Sequence, residues 1–241
     1  TISNNLANVS TTGFKRDRAE FQDLLYQIRR QPGGQSSQDS ELPSGLQLGT
    51  GVRVTGTQKI FTAGSLQTTE QPLDMAVNGR GFFQVLLPDG TVSYTRDGSF
   101  HLSSDGQLVT SNGYALEPAI VVPPETQTFT VGEDGTVSVT TVGNPQPQII
   151  GNLQTADFIN PAGLQAMGSN LFLETAASGA PQVSTPGLNG LGTVLQNTLE
   201  NSNVSVVEEL VNMITTQRAY EMNSKVISTA DQMLSFVTQQ L

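Results

Sequence analysis

The spacing of hydrophobic positions changes character along this 241-residue chain. At the start, Ile2, Leu6 and Val9 recur every three or four residues, as on one helix face, and Thr11-Thr12-Gly13 ends the pattern. Residues 1 to about 10 therefore read as the tail of a helix. Phe21, Leu24, Leu25 and Ile28 share one side of a second short helix predicted over 17–30. The stretch QPGGQSSQDSELPSGLQLGTG, 31–51, is dominated by Pro, Gly, Ser and Gln, and predicts a long loop or extended arm.

From about 52 to 200 the pattern is that of strands. VRVTGTQKIF alternates, and GFFQVLL at 81–87 is an apolar run of buried-strand length. Asp89-Gly90, Asp97-Gly98, Asp105-Gly106 and Asn112-Gly113 follow at seven- to eight-residue spacing, which predicts a meander of short antiparallel strands. Further strands are predicted at 128–132, 136–142, 148–158 and 170–175, with Pro181, Pro186, Gly187 and Gly190 marking the exit.

The last 37 residues contain no Gly and no Pro. Ser205 and Glu208 form a capping box, Glu208 and Glu209 suit the positive helix end, and Glu221–Lys225 is a favourable i,i+4 pair. Steps of seven from Val206 reach Met213, Tyr220, Ile227, Leu234 and Leu241, all apolar, and Leu210 and Ile214 widen the stripe. The row four residues later reads Leu210, Gln217, Ser224, Asp231, Thr238, so a two-stranded leucine zipper does not fit. One long helix with this stripe outruns a β body and needs several neighbours. A leading helix of two or three turns is marginal alone. It is expected to pack, through Leu6 and Val9, on the C-terminal helix, and both on other copies.

Composition removes much chemistry. There is no Cys, so no disulfide, thiolate nucleophile or zinc-thiolate site. No run of 18 apolar residues exists, which argues against membrane insertion, and no signal peptide is visible. A net charge of −10 argues against a nucleic-acid partner. The charge is uneven: Lys15, Arg16, Arg18, Arg29 and Arg30 supply five of eleven basic residues. Between Asp97 and Gln217 there is no Lys or Arg against eleven Asp and Glu. This suits either a solvated acidic face or a basic leading segment that meets the acidic body of another copy. His101, the only histidine, sits in SFHLSS beside Phe100 and Leu102, which are expected to face inward, and is read as an exposed strand residue. A Ser-His-Asp system would have to use it, and there is no G-x-S-x-G elbow. Glu133-Asp134-Gly135 reads as a hairpin turn, and the Asp-Gly pairs lack calcium-loop spacing. No catalytic, metal or cofactor site is expected. A β-bodied adhesin with a trimerising stalk and a wall-degrading enzyme using scattered carboxylates stay open on sequence grounds.

Several segments carry a resemblance. NNLANVSTTGFK at 4–15 resembles the N-terminal signature of the bacterial flagellar rod and hook proteins, and EELVNMITTQRAYEMNSKVISTADQML at 208–234 resembles their C-terminal signature. DMAVNGRGFFQV, YTRDGSF, GSNLFLET-x-x-SGAP and STPGLNG-x-G resemble the body of the family in the same order. The stretch 31–53 resembles the arm of its distal-rod branch, with Gln31, Pro32, Leu42, Pro43, Leu46 and Leu48 as the arm residues.

The resemblance implies an α+β fold with a mainly-β middle domain and a discontinuous helical terminal domain, its N- and C-terminal helices paired in a coiled-coil-like tube. The implied domains are 1–30 with 200–241 (polymerisation), 31–64 (arm) and 65–199 (β-rich outer domain). It implies a structural subunit of the flagellar distal rod, exported without a cleaved signal by the flagellar export apparatus. In the periplasm it would polymerise into a rigid hollow shaft that carries torque to the hook. Its partners would be other copies, proximal rod proteins, the hook protein, the peptidoglycan and outer-membrane ring proteins and a rod cap. A proximal rod or hook subunit is the alternative. Family members carry about twenty more residues upstream, so part of the N-terminal helix is expected to precede Thr1.

Overall fold

A computed structural model describes residues 1–32, 35–37, 40–41 and 44–239. These residues form two α-helices, a short 3-10 turn and twenty-two strands. The chain divides into two units, one of Thr1 and Asp17–Ile60, the other of Ile2–Arg16 and Phe61–Leu241. The boundaries at 16/17 and 60/61 differ from the expected 30/31 and 64/65.

The first unit is a β ribbon. Strand β1 (Asp17–Asp23) is followed by β2 (Gln27–Arg30), β3 (Gln35–Ser37), β4 (Ser40–Glu41), β5 (Leu46–Leu48) and β6 (Val52–Lys59). β1 pairs antiparallel with β6, placing Phe21 opposite Val54, and β2 pairs with β5. An Asp17–Lys59 ion pair of 3.0 Å closes the β1–β6 end. The helix predicted over 17–30 is therefore corrected to two strands. Its apolar residues had helical spacing but no core to face, and the alternating, β-branched 52–59 segment offers a backbone partner instead.

The second unit opens with α1 (Ile2–Ala7), in which Asn5 is buried and Leu6 half-buried; Val9, also half-buried, lies in the turn beyond the helix. Its strands are β7 (Leu66–Thr68), β8 (Met75–Asn78), β9 (Phe82–Leu86), β10 (Val92–Thr95), β11 (Phe100–Leu102), β12 (Leu108–Thr110) and β13 (Ala115–Glu117). Then come β14 (Thr126–Val131), β15 (Thr136–Thr141), β16 (Asn144–Asn152), β17 (Thr155–Asp157), β18 (Gln165–Gly168), β19 (Leu171–Leu173), β20 (Gln182–Ser184), β21 (Thr193–Gln196) and β22 (Thr198–Glu200). The main sheet runs β11-β12-β13-β9-β10-β19-β18, with β17 joining β9 and β20 joining β17. A three-stranded sheet, β14-β15-β16, packs on it.

Strand β9 is buried on both faces from Phe82 to Val85, which is why its sequence does not alternate, with Gln84 the one polar residue in an otherwise apolar run. Successive side chains point to opposite faces. Phe83 joins one core with Met75, Phe100, Leu116, Val137 and Val194. Phe82 joins the other with Tyr94, Phe158, Leu164 and Phe172. Both cores use edge-to-face aromatic pairs, Phe83–Phe100 at 5.2 Å and Tyr94–Phe158 at 4.7 Å.

Three of the four Gly-containing turns make hairpins: Asp89-Gly90 (β9–β10), Asp105-Gly106 (β11–β12) and Asn112-Gly113 (β12–β13). Asp97-Gly98 does not. There the chain passes from β10 to β11 alongside the start of β8, where Met75 N donates to Gly98 O at 3.0 Å and Asp74 bridges Ser99. A Cβ on Gly98 would lie 1.5 Å from Met75 O, so glycine serves a close backbone approach here. His101 is exposed as expected, but so is Leu102, which was expected inward. Glu133-Asp134-Gly135 turns between β14 and β15, with Asp134 Oδ1 accepting from Thr136 N.

The C-terminal helix α2 (Val206–Gln239) has 34 residues, roughly 50 Å at 1.5 Å per residue. Ser205 caps it, its Oγ accepting from Glu208 N at 3.5 Å. Among the described residues no helix is long and apolar enough to cross a membrane.

Candidate assembly surface

Two features of the second unit stand out together: a helix without a core and a neck with a charged one. Along α2, Val206, Leu210, Ile214, Tyr220, Ile227 and Leu234 are all exposed, and Met213 is half-buried. Leu241, the last position of the predicted stripe, lies outside the described residues. Such an apolar row on one helix is surface that no described residue covers. The pairing of α1 with α2 is confined to the helix base, where Asn5 Nδ2 donates to the buried Glu209 Oε1 at 3.2 Å.

The neck is built by residues 11–16, which return from α1 and thread beside the root of α2. Gly13 takes a positive φ of 68°, and its N–H donates to Glu200 O at 2.7 Å. A Cβ there would meet the Asp97 backbone at 2.6 Å, so this strap lies directly on the β10 exit. Arg16 N donates to Asn203 Oδ1 at 2.8 Å, and Asn203 Nδ2 donates to Thr62 Oγ1 at 3.0 Å. Asn170 Nδ2 donates to Thr12 O at 2.9 Å.

Under the strap lies Glu200. Its Oε1 accepts from Lys15 Nζ at 2.6 Å and from Gly64 N at 2.9 Å, and its Oε2 from Arg96 Nη1 at 3.3 Å. The side chains are 0% (Lys15), 1% (Glu200) and 4% (Arg96) exposed. Lys15 also reaches Thr62 O, and Arg96 reaches Val77 O and Gly79 O, while the buried Arg96 Nε has no hydrogen-bond partner among the described residues. The Arg96 guanidinium also stands 5.2 Å from the Phe82 ring centroid. Burial pushes the Lys15 ammonium below its usual range, and the Glu200 carboxylate draws it part of the way back. Burial lowers the Arg96 guanidinium too, against the same pull from Glu200.

This reassigns part of the basic leading segment. Lys15, expected to meet another copy, is fully enclosed by its own chain, and Arg16 pairs with Glu208 of the same chain at 2.9 Å. Arg18 lies 3.7 Å from Glu20 at the surface, and Arg29 and Arg30 are exposed on β2. Sequence reasoning missed Glu200, Arg96, Asn203 and Asn5. One signal was available: a region free of Lys and Arg from Asp97 to Gln217 leaves Glu200 to find its cations elsewhere in the chain.

The ribbon unit is similarly uncovered. Phe21, Tyr26, Ile28, Leu46, Leu48, Val52 and Val54 are exposed, as are the arm residues Gln31 and Pro32. Leu42 and Pro43 lie outside the described residues. An isolated two-stranded ribbon is marginal in water.

Three family models match the chain: "Flagella basal body rod protein" at 1–15, "Flagellar hook protein FlgE/F/G D1 domain" at 76–139 and "Flagellar basal body rod FlgEFG protein C-terminal" at 195–240. The chain is 58% identical over 238 residues to the flagellar basal-body rod protein FlgG of Buchnera aphidicola subsp. Schizaphis graminum, covering 99% of this chain and 92% of the relative. The chain belongs to the flagellar basal-body rod family. It is 51% identical to the Caulobacter vibrioides FlgG over 99% of this chain and 91% of that protein. It is 36% identical to the Bacillus subtilis FlgG over 97% and 89%. As a rod-family protein it is a structural component of the flagellar basal body. The buried triad takes one residue from each matched region: Lys15 from the first, Arg96 from the second and Glu200 from the third.

Proposed function

We propose that this chain is the subunit of the distal rod, a straight hollow shaft formed by helical self-assembly. The observation that carries the reading is α2, whose apolar stripe is uncovered from Val206 to Leu234 in the single chain. Burying a Val, Leu, Ile or Met side chain is worth roughly 1.5–3 kcal/mol, and only other copies offer the area needed. The α2 helices then line the tube, with the N-terminal helix (Leu6, Val9) beside them as a coiled-coil-like pair. The β body forms the outer shell.

The arm, with Gln31, Pro32, Leu42, Pro43, Leu46 and Leu48, bridges to a neighbouring copy and stiffens the shaft. Arg18, Arg29 and Arg30 supply charge contacts to acidic neighbours. Torque passes from α2 to the shell through the Lys15–Glu200–Arg96 neck. The protein reaches the periplasm through the flagellar export apparatus. It meets proximal rod proteins and a rod cap during growth, the hook protein at its far end, and the peptidoglycan and outer-membrane rings around it. It has no catalytic role. The FlgG-named relatives, at up to 58% identity, favour this reading over a proximal rod or hook subunit. The Bacillus subtilis hook-basal body complex protein FlhP stands at 30%.

The test is to raise the concentration of the purified full-length chain and follow it by sedimentation and electron microscopy. Straight hollow rods support the reading. Curved, supercoiled tubes indicate a hook-type subunit, and a small closed oligomer contradicts the shaft.

A further inference from the structure

The β body carries a groove of about 520 Å³ between the β11–β12 turn, the 122–129 segment and the approach to β8. Its apolar lining includes Pro72, Leu73, Leu102, Pro123, Pro124 and Phe129. Leu102 is exposed there although it sits on a strand next to the core. Asp105 lines the groove, Glu70 and Glu125 stand within two residues of its lining in the sequence, and the lining holds no Lys or Arg.

The ribbon unit offers the complementary surface. Leu25, at the corner between β1 and β2, is 90% exposed, the highest value among the described large apolar residues. Its carbonyl accepts from Thr50 Oγ1 at 2.7 Å, and Leu24 N donates to Gly51 O at 2.9 Å. The corner is thus held by its own backbone while its side chain projects without cover. Tyr26 beside it is also exposed. Arg29 and Arg30, four and five residues on, are exposed cations. The groove is an apolar hollow with acidic walls, and the corner is an apolar knob with a basic flank.

We propose that the Leu25–Tyr26 corner of one copy seats in the Leu102–Pro123–Phe129 groove of a second copy, with Arg29 and Arg30 against Asp105 and Glu125. This rests on the self-assembly reading above and gives the ribbon unit a specific receptor. Aromatic and aliphatic side chains filling a desolvated pocket supply most interface energy, and the flanking charges set register and partner choice.

The chain has no Cys, so pairs of introduced thiols report the contact cleanly. Cells making both Leu25→Cys and Leu102→Cys copies are grown, and their basal bodies isolated and oxidised. Disulfide-linked dimers should exceed those from a control pairing of Leu25→Cys with Val183→Cys by about tenfold, equivalent to ~1.4 kcal/mol. Adding Asp105→Arg and Glu125→Arg should lower the yield, and Arg29→Glu with Arg30→Glu should restore it. Rods that assemble without the 25–102 link, or that link equally well in the Val183→Cys control, overturn the proposal. So does an internal 25–102 disulfide in monomers of a doubly substituted chain. Failure of the cysteine-free parent to form rods counts instead against the self-assembly reading.

Discussion

Lys15 Nζ and Glu200 Oε1 lie 2.6 Å apart across 185 residues of sequence, and neither side chain is open to water. Arg96 shares the same carboxylate, so one anion serves two buried cations. Burying such a group gains little net stability, but breaking it leaves a charge with no partner. Glu200→Ala strands both cations and should cost about 3–5 kcal/mol. Lys15→Met leaves Glu200 paired with Arg96 and should cost less. Urea unfolding of the full chain, followed by circular dichroism, measures both. Equal losses, or a larger loss for Lys15→Met, would show that Glu200 is not the hub.

Gly98 tests the close passage of the β10–β11 link against β8. A methyl at this position would sit 1.5 Å from Met75 O, in backbone with no flexible end to give way. Gly98→Ala should cost more than the ~1 kcal/mol typical of a point substitution. It should also raise exchange of the Met75 amide, which donates to Gly98 O. Gly56→Ala, where no atom lies within 4 Å of the added Cβ and φ is not positive, is the comparison. Similar melting temperatures for the two variants would contradict the packing argument.

Much of this was legible beforehand where the signal is local. The hairpin turns at 89–90, 105–106 and 112–113 declare themselves through Asp-Gly and Asn-Gly, and α2 through its cap and its lack of Gly and Pro. What failed depends on distant partners. The 17–30 segment has helical spacing but becomes strand because 52–59 lies opposite. Asp97-Gly98 has the turn chemistry of its neighbours but is used as a crossing because Met75 lies against it. The neck was illegible for the same reason: no local rule places Lys15 beside a carboxylate 185 residues away. The rod reading came from the resemblance, which no periodicity carries.

Tyr94 gives an alkaline signature. It is buried with its ring 4.7 Å from Phe158, and burial pushes its phenol up to about 12, with the Glu174 carboxylate adding to the shift. The folded value lies above the model-peptide value of 10.0. Its contribution to stability is therefore full below pH 10 and is lost as pH rises towards about 12. The difference in ultraviolet titration between the native chain and Tyr94→Phe should show a tyrosinate transition near pH 12. The variant should also lack that part of the alkaline loss. A transition near pH 10 would contradict the burial.

The stripe on α2 separates folding from assembly. Ile227 and Leu234 are exposed in the single chain, so Ile227→Asp or Leu234→Asp should change monomer stability by no more than about 0.5 kcal/mol. In the polymer each would bury an unpaired carboxylate, and assembly should be lost. Thermal melts and sedimentation, run side by side, read the two effects. A destabilised monomer would mean that the helix face is already covered within one chain.

The central claim is that the α2 face is covered only by other copies. Hydrogen exchange at the amides of 206–239 tests it most directly, compared between monomer and assembled protein. The account predicts fast exchange in the monomer, where the helix lacks a packed face, and strong protection along its whole length after assembly. Equal protection in both states would contradict it.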